Sequence, residues 1–202
     1  PMWVFGLSTY AFIDEKTIAC TYSEQGIVSL ALLDIPTGTL SRLDIPYTLI
    51  GGVKATKEAV FFVGGAANLP SALVRYDLAS GECTVIRSSR ATSVDPEYIS
   101  LPEPIEFPTE GDKTAHALFY RPTNKDCQAP AGEKPPLIVR CHGGPTGQAL
   151  SGLDLSIQYW TSRGFAVVDV NYGGSSGYGR EYRQRLNGQW GIVDVEDCVN
   201  AA

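Results

Sequence analysis

Several absences narrow the reading before any motif does. Base does not exceed acid: 16 Lys+Arg stand against 22 Asp+Glu, a formal net charge of -6, so a nucleic-acid-binding surface is not expected. Long apolar runs are missing. The longest uncharged stretch, 59–74, is broken by Gly64, Gly65, Asn68 and Pro70, which argues against a membrane span of about 20 apolar residues, and no signal-peptide pattern opens the chain. Cysteine is sparse: Cys20, Cys83, Cys127, Cys141 and Cys198 make an odd number with no C-x-x-C, against a disulfide framework or zinc ribbon and for reduced thiols in a cytoplasmic protein. Only two histidines occur, His116 and His142, with no H-E-x-x-H and no calcium loop, so no metal site is expected. With neither G-x-x-x-x-G-K-[ST] nor G-x-G-x-x-G, no phosphate-cradling loop or cofactor is expected either.

What is present is a packed globular composition, 44% hydrophobic and 19% charged. The first half consists of short apolar or alternating runs at 17–22, 27–33, 59–63, 72–76 and 83–87, separated by turn residues, and these are strand signals. Two turns repeat, Asp34-Ile-Pro-Thr-Gly38 and Asp77-Leu-Ala-Ser-Gly81, 43 residues apart. That period suits four-stranded propeller blades and equally an antiparallel meander whose hairpins use Asp and Gly. Residues 88–104 are polar, with Pro96, Pro102 and Pro104, and read as a linker. The predicted domains are therefore 1–98 and 99–202.

The second half alternates strand and helix. An alternating run at 115–120 is followed by a continuous apolar strand at 137–139, expected to be buried on both faces. Leu153, Ile157 and Trp160 mark a helical face ending at Gly164, and 165–170 is a second buried strand. A strand–helix–strand unit joined by a right-handed crossover begins a doubly wound, mostly parallel sheet, whose ligand crevice lies at the carboxyl ends of the strands. At the end of the chain Val195, Cys198, Val199 and Ala202 give another helical face with Asp194 as its N-cap, and the acids Asp194, Glu196 and Asp197 complement the helix dipole. Because this helix has no stop signal, the chain is expected to continue in a longer protein, and alone to be poorly soluble or only partly folded.

Two loops lie where chemistry belongs. His142-Gly143-Gly144-Pro145 follows a buried strand; adjacent glycines let backbone N–H groups reach a developing oxyanion, although a Gly-Gly turn that only reverses the chain fits the same residues. His142 is expected to order this loop rather than act as a base. Gly173-Gly174-Ser175-Ser176-Gly177 satisfies G-x-S-x-G, yet the acid and base of an α/β-hydrolase follow its serine and no histidine follows Ser175. This loop is expected to line a crevice.

The ordered blocks PEPIEFPTEG (102–111), PPLIVRCHGGPT (135–146), QYWTSRGFAVVDVNYGGSSGYGREYR (158–183) and GQWGIVDVEDCVNAA (188–202) resemble the hydrolase domain of the prolyl oligopeptidase family of serine peptidases, in its acylaminoacyl-peptidase and dipeptidyl-aminopeptidase branch. The resemblance implies that β-propeller blades precede the first part of an α/β-hydrolase domain. It makes His142, Gly143, Gly144 and Pro145 the oxyanion and substrate loop, with Gly144 the favoured donor, and Tyr172, Gly173, Gly174, Ser175 and Tyr178 a site-lining loop. Gly173 stands where many members have Arg. The nucleophile is implied to lie beyond Ala202, followed by the Asp and the His, so this chain would supply part of a peptide-cleaving, acyl-enzyme site and be inactive alone. A non-catalytic scaffold and an esterase of the same fold are the alternatives. A peptide substrate is the implied partner.

Overall fold

The computed structural model describes residues 6–90 and 94–202. It contains two antiparallel sheets followed by a mixed one. Strands β1 (Tyr10–Phe12), β2 (Thr17–Glu24), β3 (Ile27–Asp34) and β4 (Thr39–Arg42) form the first meander, and β5 (Leu49–Ala55), β6 (Ala59–Ala66), β7 (Leu69–Asp77) and β8 (Cys83–Ser88) the second. The repeated turn has one geometry in both sheets. Asp34 Oδ1 accepts the Thr37 N–H at 2.9 Å and Asp77 Oδ1 the Ser80 N–H at 2.9 Å, while Gly38 and Gly81 close each turn at φ 69° and 74°, a conformation glycine adopts without strain.

One core joins the two meanders. Ala19 and Leu30 from the first sheet meet Val53, Val60, Phe62 and Val74 from the second, all fully buried. The Phe62 ring stands edge-on to Tyr47 with centroids 5.5 Å apart, a favourable aromatic geometry. Gly64 is required beside them, since a Cβ there would lie 2.7 Å from the Phe62 ring and 2.8 Å from Tyr47.

Of the stretch expected to be a linker, 88–104, residues 91–93 lie outside the described residues, and the part that follows them is not wholly exposed. A 3-10 turn at Pro96–Tyr98 leads into Ile99 and Ser100, which are buried. Ser100 is clamped by Gln158, whose amide accepts from its N–H at 2.7 Å and donates to its carbonyl at 3.1 Å. The third sheet has the order β11-β12-β10-β9, built from β9 (Glu103–Thr109), β10 (Lys113–Tyr120), β11 (Leu137–Cys141) and β12 (Ala166–Asn171). Among these strands only β11 and β12 run parallel, joined through α1 (Leu155–Thr161). The β9–β10 hairpin and the β10–β12 pairing are antiparallel.

Four expectations need correction. The sheet expected to be mostly parallel has one parallel pairing among the described strands, β11–β12, and two antiparallel ones. β12 is buried throughout, but β11 is not: Leu137 and Val139 are 36% and 38% exposed, because β11 is an edge strand among the described residues. The inward face of α1 is Ile157, Gln158 and Thr161, with Trp160 outside, packed edge-on against Phe165 and Tyr159. In α3 (Val193–Asn200) the N-cap is Ile192; Asp194 sits inside the first turn and accepts from Gly191 N–H. Val195 and Val199 are exposed there, and the buried residue is Asp197. A short helix α2 (Gly179–Gln184) precedes α3.

Candidate functional site

β11 and β12 are adjacent and parallel, so the loops that leave their carboxyl ends, 142–147 and 172–179, come side by side. Both glycine-rich loops thus leave the carboxyl ends of neighbouring parallel strands. His142 joins them. Its Nε2 lies 2.6 Å from Ser175 Oγ and its Nδ1 3.0 Å from the Gly143 carbonyl oxygen. A carbonyl can only accept, so Nδ1 carries the proton and Nε2 accepts from the Ser175 hydroxyl. The imidazole stacks on Tyr172 with centroids 4.5 Å apart, and the Tyr172 hydroxyl donates to the Pro145 carbonyl at 3.0 Å. Burial holds the His142 pKa below its ordinary value, against the Gly143 bond that favours the cation, so the ring is neutral at pH 7.

Ser175 has no solvent exposure, and its own N–H closes a turn onto Tyr172 O at 2.9 Å. The order of residues predicts a serine without a base, whereas folding gives it His142. That pair is not a triad: Nδ1 is held by a backbone carbonyl rather than a carboxylate, and the hydroxyl faces no solvent. Gly143 and Gly144, by contrast, are exposed, and neither N–H has a protein acceptor among the described residues. Gly144 adopts φ 111°, where a side chain would be strained.

Residues without a motif lock the loops together. Asn171, fully buried, accepts the Ala149 N–H on Oδ1 at 2.7 Å, donates to Tyr178 OH at 3.0 Å, and takes the Tyr182 hydroxyl on its carbonyl at 2.6 Å. His116, paired with Asn171 across β10 and β12, stacks on Tyr178 at 4.4 Å. Asp197 accepts the Gly173 N–H at 2.6 Å and the Thr109 hydroxyl at 2.5 Å, so it anchors a loop rather than only complementing a dipole. Gly173 leaves room for another residue: a Cβ there would lie 2.9 Å from Val193 Cγ1 and 3.3 Å from Cβ and Cδ of Arg185. Arg185 thus fills the space over Gly173, its guanidinium stacked on Tyr182 at 4.5 Å and donating to Thr114 O at 2.7 Å. Pairing in the sheet would have pointed to His116, whereas Asp197 and Arg185 carry no local signal.

The first half of the chain reaches this region. The hairpin turn at Gln25 and Gly26 abuts Tyr178, and Ser151 donates to the Thr48 carbonyl at 3.0 Å. A cavity of about 530 Å³ opens there, between Leu49 and Arg90 on one side and Arg140, His142, Gln148 and Asp154 on the other. Arg140 donates to Asp154 at 2.9 Å and lies 3.4 Å from buried Asp169, whose pKa burial raises. A larger cavity, about 980 Å³, lies away from both loops, around Pro122, Lys125 and Arg163. No helix among the described residues is long and apolar enough to cross a membrane.

Residues 151–202 match a family model described as the prolyl oligopeptidase family. Among curated proteins, dipeptidyl aminopeptidase BIII of Pseudoxanthomonas mexicana is 29% identical over 138 residues, 67% of this chain and 20% of the relative. Among solved structures, a puromycin-hydrolyzing peptidase of Mycobacterium tuberculosis superposes with a TM-score of 0.94 at 40% identity, over 100% of this chain and 31% of that one. A puromycin hydrolase complexed with PGG gives a TM-score of 0.90 at 36% identity, over 100% of this chain and 30% of that one. The chain thus spans about a fifth of the curated relative and under a third of either solved structure.

Proposed function

The chain belongs to the prolyl oligopeptidase family, and on that premise we propose that it is part of a serine peptidase that cleaves short peptides through an acyl-enzyme. In this reading residues 1–98 are propeller blades, and 99–202 are the first part of an α/β-hydrolase domain. The backbone N–H of Gly144, or of its neighbour Gly143, stabilises the oxyanion of the tetrahedral intermediate. One such donor contributes about 3 kcal/mol to the transition state. His142 is a positioning residue: bonded to Ser175 and stacked on Tyr172, it fixes the loop that presents those donors. Tyr172, Gly173, Gly174, Ser175 and Tyr178 line the site, and the nucleophile, acid and base come from sequence beyond these residues.

The observation that carries this reading is the contrast between two exposed glycines whose N–H groups have no protein acceptor among the described residues and a serine that is buried and already bonded. The PGG bound by the puromycin hydrolase favours a peptide as the substrate here. The test is turnover of short peptide amides and aryl esters side by side, by the longer native protein and by the 202-residue chain. Amide cleavage by the longer protein with an inert chain is expected. Ester cleavage alone would point to an esterase, and silence of both towards both substrates to a scaffold.

A further inference from the structure

We propose that Cys141 and Cys198 are a redox-active thiol pair that closes to a disulfide under a peroxide, a modification site one residue before the His142 loop. Cys141 is the last residue of β11, and strand alternation sets it on the sheet face opposite Arg140 and His142. Helix α3 packs on that same face, where Cys198 joins the cluster of Val168, Val170 and Tyr172. Cys141 is the register partner of Val170, a member of that cluster, so both cysteines lie on the sheet face that α3 covers. Both are free thiols, and the remaining three are placed elsewhere: Cys20 and Cys83 in the two meanders, and Cys127 in the loop before β11.

The two thiols differ in a way that orders the chemistry. Cys141 is exposed and Cys198 half-buried. Burial first, and the neighbouring Cys141 second, push Cys198 up to about 12, so it stays a thiol at neutral pH while Cys141 meets the oxidant. The Cys141 thiolate attacks one peroxide oxygen, the O–O bond breaks, and hydroxide leaves, giving a sulfenic acid. Cys198 sulfur then bonds to Cys141 sulfur, the S–O bond breaks, and the departing hydroxyl takes the Cys198 proton as water. With the proton first lost by Cys141, the two thiols have given up two hydrogens and the peroxide has become two waters. The new bond would tie β11 to α3, where Asp197, next to Cys198, holds the Gly173 N–H. Any effect on peptide cleavage rests on the function proposed above; the disulfide does not.

The experiment treats the native protein containing these residues with hydrogen peroxide, blocks remaining thiols with N-ethylmaleimide, digests without reduction and maps the peptides by mass spectrometry. A Cys141–Cys198 cross-linked pair that dithiothreitol removes is expected, with Cys20 and Cys83 alkylated. In Cys198→Ser, Cys141 should stop as a sulfenic acid that dimedone captures. Alkylated Cys141 and Cys198 after oxidation, or Cys141 joined to Cys127 or to a second molecule, would overturn the proposal, and the wild-type map decides this even if the variant fails to fold. A cross-link that forms while peptide turnover is unchanged would overturn only the link to catalysis.

Discussion

Replacing Gly173 with Ala tests how tightly the 172–179 loop is seated on α2 and α3. The backbone is no obstacle, because Gly173 is not among the glycines at positive φ. Space is the obstacle: the added methyl would sit 2.9 Å from Val193 Cγ1 and 3.3 Å from the Arg185 stem. Relieving that overlap moves α3 or the loop, and forced core overpacking costs about 1–3 kcal/mol. Any shift also lengthens the Gly173–Asp197 hydrogen bond of 2.6 Å, a bond to a charged group worth about 1.5–3 kcal/mol. We expect Gly173→Ala to lower stability by about 2 kcal/mol in urea unfolding with an unchanged slope. Val193→Ala removes the nearest atom, and in that background the same change should cost under about 0.5 kcal/mol, a coupling of about 1.5 kcal/mol between touching residues. Equal costs in the two backgrounds would refute the reasoning. By the same logic Gly173→Arg is tolerated only when Val193→Ala and Arg185→Ala are both present, since Val193 Cγ1 and the Arg185 stem together fill the space.

Gly26 stands at φ 79° and a Cβ there would meet Tyr178 OH at 2.7 Å, so Gly26→Ala should destabilise by more than about 1 kcal/mol, and Tyr178→Phe should recover the clash but not the backbone strain; full recovery in the double variant would show that the φ angle is harmless. Burial lowers the pKa of both His116 and His142, so the unfolded state binds protons more readily as pH falls through about 6.5. Urea midpoints should therefore drop between pH 8 and pH 5, with a smaller drop in His116→Gln; a flat profile would contradict partly buried, neutral rings. Asp169, raised by burial, acts in the opposite sense.

How far the sequence could be read follows from which signals are local. The Asp-to-Gly turns at 34–38 and 77–81 are short-range devices, and both form as their residues require. β5 was hidden by Gly51 and Gly52, where the strand bulges and Gly52 turns to φ 65°. β9 was hidden by Pro104 and Pro108, which an edge strand tolerates because it need not donate on its open side. The apolar periodicity of α3 holds for Cys198 but not for Val195 and Val199, because the inward face also carries Asp197, an aspartate satisfied by Thr109 and Gly173. At the site, the two glycine-rich loops were legible because each follows an apolar strand run, although only β12 is buried. The His142–Ser175 contact was not, since it depends on β11 and β12 being neighbours, a fact of topology rather than of motif.

The most direct measurement of the central claim is fluorophosphonate labelling of the 202-residue chain and of the longer native protein, with the adduct mapped by mass spectrometry. The account predicts that only the longer protein is labelled, at a serine outside residues 1–202, with Ser175 unmodified and its Ser175→Ala variant still labelled at that same serine. An adduct on Ser175 would contradict it, making the His142–Ser175 pair the nucleophile and its base.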